Sequence, residues 1–402
     1  MSLTKRIDEM KEMILTNIEE REEVYLNTSH SIHENPEIGN QEFYASGLLT
    51  ELLANEGFEV TKNVAGHETA FIARKHSGHK GPAVAFLAEY DALPGLGHAC
   101  GHNIIGTTSV AAAIALSQAL DQIGGEVVVL GTPAEEGGPN GSAKGSFVKH
   151  GLLKGLDAAL MVHPFHKTKV TGYTLAVDPL DFEYIGKSAH AAFAPEEGIN
   201  ALDAVIQLFN GINALRQHVS SDVRIHGIIT HGGEAPNIVP DYAKARFFIR
   251  AAKRKTCAEV TERVKKIAEG AALATGAKLN IIEFQNEVDD FILNEPFDQL
   301  FANACEAVGE PIDRDDLSGI GSTDAGNISQ VIPTIHPYIK IGSDSLVPHT
   351  PEFREAARSE VGDRALVIGA KALALTALPL YTDEGILQEI KQVFKKRIEK
   401  EK

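Results

Sequence analysis

Residues 83–103 read AVAFLAEYDALPGLGHACGHN, and this stretch decides the fold of the chain. It opens on six apolar residues, and the first charged residue is Glu89. A strand that is apolar throughout is typically covered on both faces, as in an α/β sheet. The loop that follows holds Cys100 and His102, separated by one glycine that lets the backbone turn so that both side chains face one point. Because thiolate and imidazole are metal ligands, this loop is a candidate metal site, although His98 beside it has no evident need to ligate.

Two further apolar runs end in polar residues in the same way. The run GEVVVLGTPAEE ends in Glu135 and Glu136, and the run DAALMVHP carries His163 near its end. Ligands of α/β sheets bind outside the carboxyl ends of the strands. We therefore expect these three residues and Asp91 to converge on one edge of the sheet.

The adjacent carboxylates Glu135 and Glu136 indicate a cation. Neighbouring carboxylates repel each other unless something neutralises them, and adjacent side chains point in different directions, so that one can bind metal while the other faces the substrate. Taken singly, each candidate has an ordinary explanation as a buried thiol, a capping histidine or a solvated loop. Together, five candidate ligands are enough for two metal ions that share a water molecule: Cys100, His102, Glu136, His163 and, in SLVPHTPEF, His349.

The composition is that of a soluble globular protein. The chain has 402 residues, of which 43% are hydrophobic, and a formal net charge of −17. Such an acidic surface repels phosphate backbones, so we expect no nucleic-acid partner. We find no apolar run of about 18 residues and no signal-peptide pattern, and we expect no membrane span and a cytoplasmic location. The cysteines Cys100, Cys257 and Cys305 are scattered and odd in number, which argues against a disulfide framework.

The periodicity divides the chain into an α/β part and an inserted α+β part. Apolar residues recur at helical spacing over 4–33, 38–56, 104–122, 295–307, 352–377 and 383–400. Strand-like runs are found at 58–64, 69–74 and 83–90. After about residue 180 the order becomes strand, helix, strand, strand, helix, strand, which is the ferredoxin-like order. The predicted fold is thus an α/β catalytic domain formed by residues 1–179 and 293–402, interrupted by an α+β lid at 180–292.

Seven segments in this order resemble the amidohydrolase branch of the aminoacylase/carboxypeptidase superfamily of co-catalytic metallopeptidases: FLAEYDALPGLGHACGHN, GTPAEEGG, MVHP, GKSAHAA, GGEAPNIVPDYAKARFFIR, GSTDAGN and PHTPEF. The resemblance covers nearly the whole chain. Within the branch, AEYDALPG and GSTDAG are most similar to the aminobenzoyl-glutamate hydrolase-like amidohydrolases and dipeptidases. The resemblance implies a zinc-exopeptidase-like catalytic domain with a ferredoxin-like lid, and homodimers or tetramers that assemble through the lid.

The resemblance also implies how the five candidate ligands divide between two divalent ions, either zinc or manganese. Cys100 would bridge the ions, where relatives outside this branch usually have an aspartate. His102 and His163 would complete one site, and Glu136 and His349 the other. Those relatives also have His-x-Asp where this chain has Glu89-Tyr90-Asp91, and His102 takes over from the missing histidine.

Five further residues obtain roles from the same resemblance. Glu135 would be the general base, and Asp91 would orient a ligand. His190, in GKSAH, would reach the active site of a partner subunit and stabilise the oxyanion. Asn237 and Arg250 would hold the substrate, although a salt bridge in the core is an alternative explanation for Arg250.

The sequence therefore predicts metal-dependent hydrolysis of an amide bond in a short peptide or an N-acyl amino acid. Two alternatives stay open. Cys100 could act as a nucleophile with a nearby histidine as its base, which would leave the other ligands without a role. The chain could also be a non-catalytic scaffold that kept the fold.

Overall fold

The computed structural model describes residues 3–319 and 321–401. The chain forms two compact units, of which the first comprises Met1–Tyr173, Phe291–Ile320 and Asp324–Lys402 and the second comprises Thr174–Asp290 with Gly321–Thr323. The second unit begins before the predicted boundary at residue 180. The reason is that its first strand already starts at Ala176 and is hydrogen bonded from that end onward.

The elements are numbered in chain order. The helices are α1 (Leu3–Glu20), α2 (Glu22–Glu34), α3 (Phe43–Asn55), α4 (His102–Ser117), α5 (Leu120–Ile123), α6 (Ala143–Lys149), α7 (Ala201–Leu215), α8 (Arg254–Thr275), α9 (Glu295–Ala307), α10 (Ala325–Ser329), α11 (Pro351–Ala356), α12 (Glu360–Thr382) and α13 (Glu384–Glu401). The strands are β1 (Glu59–Val64), β2 (His67–His76), β3 (Ala83–Ala88), β4 (Glu126–Gly131), β5 (Ala158–Leu160), β6 (His163–Phe165), β7 (Ala176–Ile185), β8 (Arg224–His231), β9 (Tyr242–Ala251), β10 (Lys278–Glu283), β11 (Thr334–Ile335) and β12 (Tyr338–Lys340).

The first unit is built on a mixed six-stranded sheet in the order β1-β2-β4-β3-β5-β11. β1, β2 and β4 pair antiparallel, whereas β4, β3, β5 and β11 run parallel to one another. Every residue of β3, β4 and β5 is buried, which explains why these runs are apolar on both faces. Because the three strands are parallel neighbours, the polar residues that follow them lie at the same edge, as the sequence predicted.

Helix α4 packs against this sheet and is buried along all 16 of its residues. Its small side chains allow a close approach: a Cβ added to Gly106 would lie 2.6 Å from the carbonyl oxygen of Glu89. The helix begins at His102, so a core helix holds a candidate ligand at its first position.

The second unit has the element order β7-α7-β8-β9-α8-β10, as the sequence predicted, and its four strands form an antiparallel sheet in the order β10-β7-β9-β8. Burial alternates residue by residue along β9. The buried face packs on α7 and α8, and these elements form a hydrophobic core that belongs to this unit alone.

Four of the predicted helices differ from those in the structure. The helix expected at 4–33 is divided at Arg21 into α1 and α2. The helix expected at 38–56 begins only at Phe43, because Gly39 and Asn40 belong to a loop in which Asn40 has a φ of 64°. The helix expected at 104–122 ends at Ser117 and is followed by the short α5. The helix expected at 352–377 is divided into α11 and α12, since the side chain of Ser359 caps a new helix.

Within the described residues, one helix is long and apolar enough to cross a membrane, whereas the sequence analysis found no such run. It is α12, with a mean hydropathy of 1.6 in its 18-residue window. Its apolar run is interrupted by Lys371, which is why it escaped a search for an unbroken run. Two thirds of that window (67%) is buried inside the protein, and a core helix of a soluble protein passes the same test.

Candidate metal centre

The loop between β3 and α4 turns sharply at Gly101, which has a φ of 78°. A Cβ at this position would lie 2.9 Å from Cγ of Pro164, so both the conformation and the space require glycine. The turn brings Cys100 towards β6, where its Sγ lies 3.5 Å from Nε2 of His163.

Cys100, His102 and His163 form the first candidate ligand group. Their ligand atoms lie within 4.8 Å of one another, and all three residues are buried. Nδ1 of His102 is hydrogen bonded to Oδ1 of Asp91 at 2.9 Å, and Nδ1 of His163 to the carbonyl oxygen of Pro164 at 2.7 Å. Each imidazole therefore turns its Nε2 towards the group, which is how an outer hydrogen bond orients a ligating histidine.

Cys100, Glu136 and His349 form the second candidate ligand group, with the same 4.8 Å limit. Oε1 of Glu136 lies 3.3 Å from Nε2 of His349, whose side chain is 53% exposed. The backbone of His349 has a φ of 64°, and its N–H donates to the carbonyl of Ala99 in the cysteine loop. The thiol of Cys100 belongs to both groups, and the division of the ligands is the one that the resemblance implied.

A further observation fits divalent cations at these groups. Nε2 of His102 is buried without a hydrogen-bond partner among the described residues, and Oε1 of Glu136 is buried with only the ion-pair contact to His349. Such atoms are unfavourable unless a further ligand satisfies them. Burial and the charge of Glu136 raise the pKa of the Cys100 thiol well above its usual range, whereas a coordinated cation deprotonates a thiol.

Glu135, the predicted base, lies beside the first group. Its Oε2 is 3.8 Å from Nε2 of His102, and its side chain is 13% exposed. Burial and the charges of Glu89 and Glu136 raise the pKa of the Glu135 carboxyl well above its usual range. Asp91 lies beneath this turn: Oδ2 of Asp91 accepts the N–H of Glu136 at 2.9 Å, while its other oxygen holds His102.

A buried ion network, which the sequence did not predict, lies next to these residues. Nζ of Lys144 lies 2.7 Å from Oε1 of Glu89 and 2.6 Å from Oδ1 of Asp324. Burial raises the pKa of Glu89, but the charges of Lys144 and His102 lower it by a larger amount, so that the pKa falls to about 2. Glu89 at the end of an apolar strand was visible in the sequence, whereas nothing local marks Lys144 as buried. Glu89, His102 and Glu135 form a third group that could hold a cation.

The remaining predicted site residues, His190, Asn237 and Arg250, lie in the second unit. The N–H of Ala191 donates to the carbonyl of Asn237, so the first two lie on adjacent segments. Arg250, on β9, donates from Nη1 to Oγ of Ser322 at 2.9 Å and from Nε to Nε2 of His226 at 3.2 Å. Among the described residues Arg250 forms no salt bridge with a carboxylate, which counts against the core salt bridge considered for it.

Comparisons with known proteins agree with this geometry. A model of the family described as peptidase family M20/M25/M40 matches residues 85–378. The chain is 36% identical to the Xaa-Arg dipeptidase of Mus musculus, over 100% of this chain and 95% of that protein. It is 30% identical to one subunit of the p-aminobenzoyl-glutamate hydrolase of Escherichia coli (strain K12), over 93% of this chain and 92% of that protein.

Solved structures share the fold. A crystal structure of a dinuclear metal-binding peptidase of the M20 family from Bacillus subtilis matches with a TM-score of 0.65 at 20% identity, over 91% of this chain and 99% of that one. An aminobenzoyl-glutamate utilization protein from Klebsiella pneumoniae matches with a TM-score of 0.71 at 19% identity, over 90% of this chain and 96% of that one. This protein therefore belongs to peptidase family M20/M25/M40, and it is a peptidase or amidohydrolase, as its sequence predicted.

Proposed function

We propose that the protein hydrolyses the amide bond of a dipeptide or an N-acyl amino acid at a centre of two divalent metal ions. The observation that carries the proposal is the position of one thiol: Cys100 belongs to both ligand groups, and Glu135 lies beside them. When bound, such ions lower the pKa of a shared water from about 15.7 towards about 7 and polarise a carbonyl oxygen.

The residues of the chain would then act on protons and on orientation. Glu135 would take the proton of the attacking water and return it to the leaving amine, the usual work of a general base that later acts as an acid. Asp91 would keep His102 and the backbone of Glu136 in place.

A cysteine nucleophile is the less favoured alternative. A reactive thiol needs a lowered pKa and a base beside it. Here burial raises the pKa of the Cys100 thiol well above its usual range, and a nucleophilic role would leave Glu136 and His349 without a function. Alkylation distinguishes a nucleophilic Cys100 from a metal ligand. In the metal-loaded protein a nucleophilic thiol would react quickly with iodoacetamide, whereas a thiolate held by metal would react slowly.

We propose that the substrate carries a free carboxylate on its leaving amino acid. The names of the relatives point to dipeptides that end in arginine and to p-aminobenzoyl-glutamate, and both have this group. Arg250 supports the proposal, because its partly buried guanidinium has only neutral hydrogen-bond partners in the described part of the chain. A guanidinium fork is well suited to a carboxylate. Blocking the substrate as its carboxamide should therefore raise KM strongly.

We also propose, from the resemblance alone, that the second unit acts as a lid and forms the dimer contact. The same resemblance supports the proposal that His190 stabilises the oxyanion. Sedimentation velocity of the purified protein would test the homodimer, and a monomer at micromolar concentration would contradict it. The expected cytoplasmic location also stays a prediction, which fractionation of the native cells would test.

The first experiment is elemental analysis of reduced protein reconstituted with zinc or manganese, followed by hydrolysis of alanyl-arginine and p-aminobenzoyl-glutamate. We expect about two ions per chain. Replacing Cys100 by Ser should disturb both ions, whereas Glu136→Gln should disturb one. Tight binding of no ion under any condition would overturn the proposed mechanism.

A further inference from the structure

The turn that carries Glu135 and Glu136 is strained at the residue before them. Ala134 is fully buried and has a φ of 58°, in the left-handed region that non-glycine residues rarely occupy. Its carbonyl accepts the N–H groups of Gly137 and Ser142. Residues held in this region persist only when their surroundings fix them, and such positions cluster at active sites.

The side chain that contacts the backbone of Ala134 comes from far away in the sequence. Oε1 of Glu42 accepts the N–H of Ala134 at 2.9 Å, and Oε2 of Glu42 accepts Oγ1–H of Thr69 at 2.7 Å. Glu42 is fully buried, and within residues 3–319 and 321–401 it forms no salt bridge. A buried carboxylate without a cation is unfavourable. Burial and the charge of Asp91 raise the pKa of Glu42 to about 7, and the hydrogen bonds from Thr69 and from the N–H of Ala134 oppose this rise.

Glu42 lies at the position that would normally cap helix α3, but its side chain makes no capping bond. The carboxylate of Glu37 does this work instead, because its oxygens accept the N–H groups of Tyr44 and Ala45 at 2.9 and 3.0 Å. The side chain of Glu42 is therefore free to point into the core. The same loop fits tightly on the turn: a Cβ at Gly39 would lie 2.8 Å from the Cβ of Ala134.

We propose that Glu42 is a positioning residue that holds Ala134 in the left-handed conformation and thereby aims Glu135 and Glu136. Together with Asp91, which holds the N–H of Glu136, it fixes both ends of the segment that bears the two carboxylates. The expected effect of Glu42 on kcat rests on the proposed function, whereas its effect on the conformation of Ala134 does not.

The test compares Glu42→Ala, Glu42→Gln and the double variant Glu42→Ala/Ala134→Gly. We expect Glu42→Ala to lower kcat by about 100-fold, as for a small misplacement of catalytic groups, with little change of KM. Glu42→Gln keeps an oxygen for the N–H of Ala134 and should restore most of the rate. Glycine adopts positive φ without strain, so the double variant should lose less than Glu42→Ala alone.

The matched control is Glu37→Ala, in the same loop. It removes the cap of α3 and should lower the melting temperature with kcat retained. Hydrogen exchange of the Ala134 amide gives a readout that needs no activity, and Glu42→Ala should accelerate it while Glu37→Ala should not. Wild-type kcat in Glu42→Ala, or a double variant as slow as the single one, would overturn the proposal. If the wild type hydrolyses nothing, the proposed function fails, and unchanged exchange at Ala134 would then overturn the role of Glu42.

Discussion

Backbone positions with positive φ recur at the candidate metal centre. Gly101 separates the candidate ligands Cys100 and His102 at a φ of 78°, Ala134 precedes Glu135 at 58°, and His349 is itself a ligand candidate at 64°. The two that are not glycine are in a region that costs about 1–2 kcal/mol per residue. The local conformation around this site is therefore set by its surroundings, and not by the intrinsic preference of the residues.

At the residue scale, Glu135→Gln should separate catalysis from metal binding. The amide keeps the size of the side chain but cannot accept a proton, so we expect turnover to fall about 10²- to 10⁴-fold with the metal content retained. Elemental analysis and kcat on one preparation measure both. Glu136→Gln is the matched control and should lose metal as well. Normal turnover by Glu135→Gln would refute its assignment as the base.

Lys144→Met should destabilise the metal-free protein by about 3–5 kcal/mol at pH 7, because it leaves Glu89 and Asp324 buried without their cation. The pH dependence has a definite sign. In the wild type the pKa of Glu89 is lowered from 4.5 to about 2, so its stabilising contribution is present above pH 4.5 and is lost as the pH falls towards 2. In Lys144→Met the carboxyl of Glu89 should instead take up a proton as the pH falls. The difference in the free energy of unfolding between the wild type and the variant should therefore shrink in acid.

Urea unfolding at pH 7 and pH 4.5 would measure this change in the free energy of unfolding. The control is Lys187→Met, whose partner Glu197 is 3.5 Å away at the surface. Removing such an exposed pair should change stability by about 1 kcal/mol or less. An equal effect of both substitutions would show that the buried network is not strongly stabilising.

The sequence identified the candidate ligands but not the residues that support them. Cys100, His102, Glu136 and His163 follow buried strands, so their convergence could be predicted from strand polarity. Lys144 and Glu42 could not be found in this way. Their burial depends on partners contributed by distant segments, Asp324 and Ala134, and nothing in their immediate sequence signals it.

At the element scale, the packing of α4 decides where its first residue lies. Gly106 approaches the carbonyl of Glu89 so closely that Ala would have to shift the helix. We expect Gly106→Ala to destabilise the protein by about 1–3 kcal/mol and to weaken metal binding through displacement of His102. Gly47 in α3 is the control, because a Cβ there would meet nothing within 4 Å. Gly47→Ala should stabilise the helix by about 1 kcal/mol. Thermal unfolding of both variants measures this, and stabilisation by both would contradict the packing argument.

Helix boundaries were harder to predict than the strands. The sequence pattern placed a helix over 38–56, because apolar residues recur there at helical spacing. In the structure the first residues of that stretch form a loop that includes Glu42 and packs against the turn that carries Glu135 and Glu136. Tertiary hydrogen bonds of Glu37 and Glu42 replace the local helical pattern, and periodicity contains no information on such contacts.

At the scale of the whole molecule, the second unit has a hydrophobic core made of its own residues. We expect a fragment of residues 174–290 to fold by itself and to unfold cooperatively, because it contains every strand and helix of its sheet layer. Circular dichroism on heating would measure this. A fragment without a cooperative transition would show that the unit depends on the rest of the chain.

Mixing of two inactive variants tests the assembly. If His190 acts in a partner subunit, as the resemblance implies, then His190→Ala and Glu135→Ala should each be nearly inactive alone. A one-to-one mixture should recover up to about a quarter of the wild-type rate per chain, because about half of the dimers pair at random into mixed dimers and each of these holds one complete site; unmixed controls should not recover. Absence of recovery, with subunit exchange verified by mass, would argue against a cross-subunit histidine.

The way the chain enters and leaves the second unit has a consequence for how such enzymes diversify. Val177 and Val288 exchange both of their backbone hydrogen bonds, so the inserted stretch begins and ends at one place. Mutations, insertions or even replacement of this stretch need not alter the length of any connection in the first unit. If the second unit holds the substrate, as we propose, its residues can change with the substrate while the candidate ligands, which all lie in the first unit, are inherited unchanged.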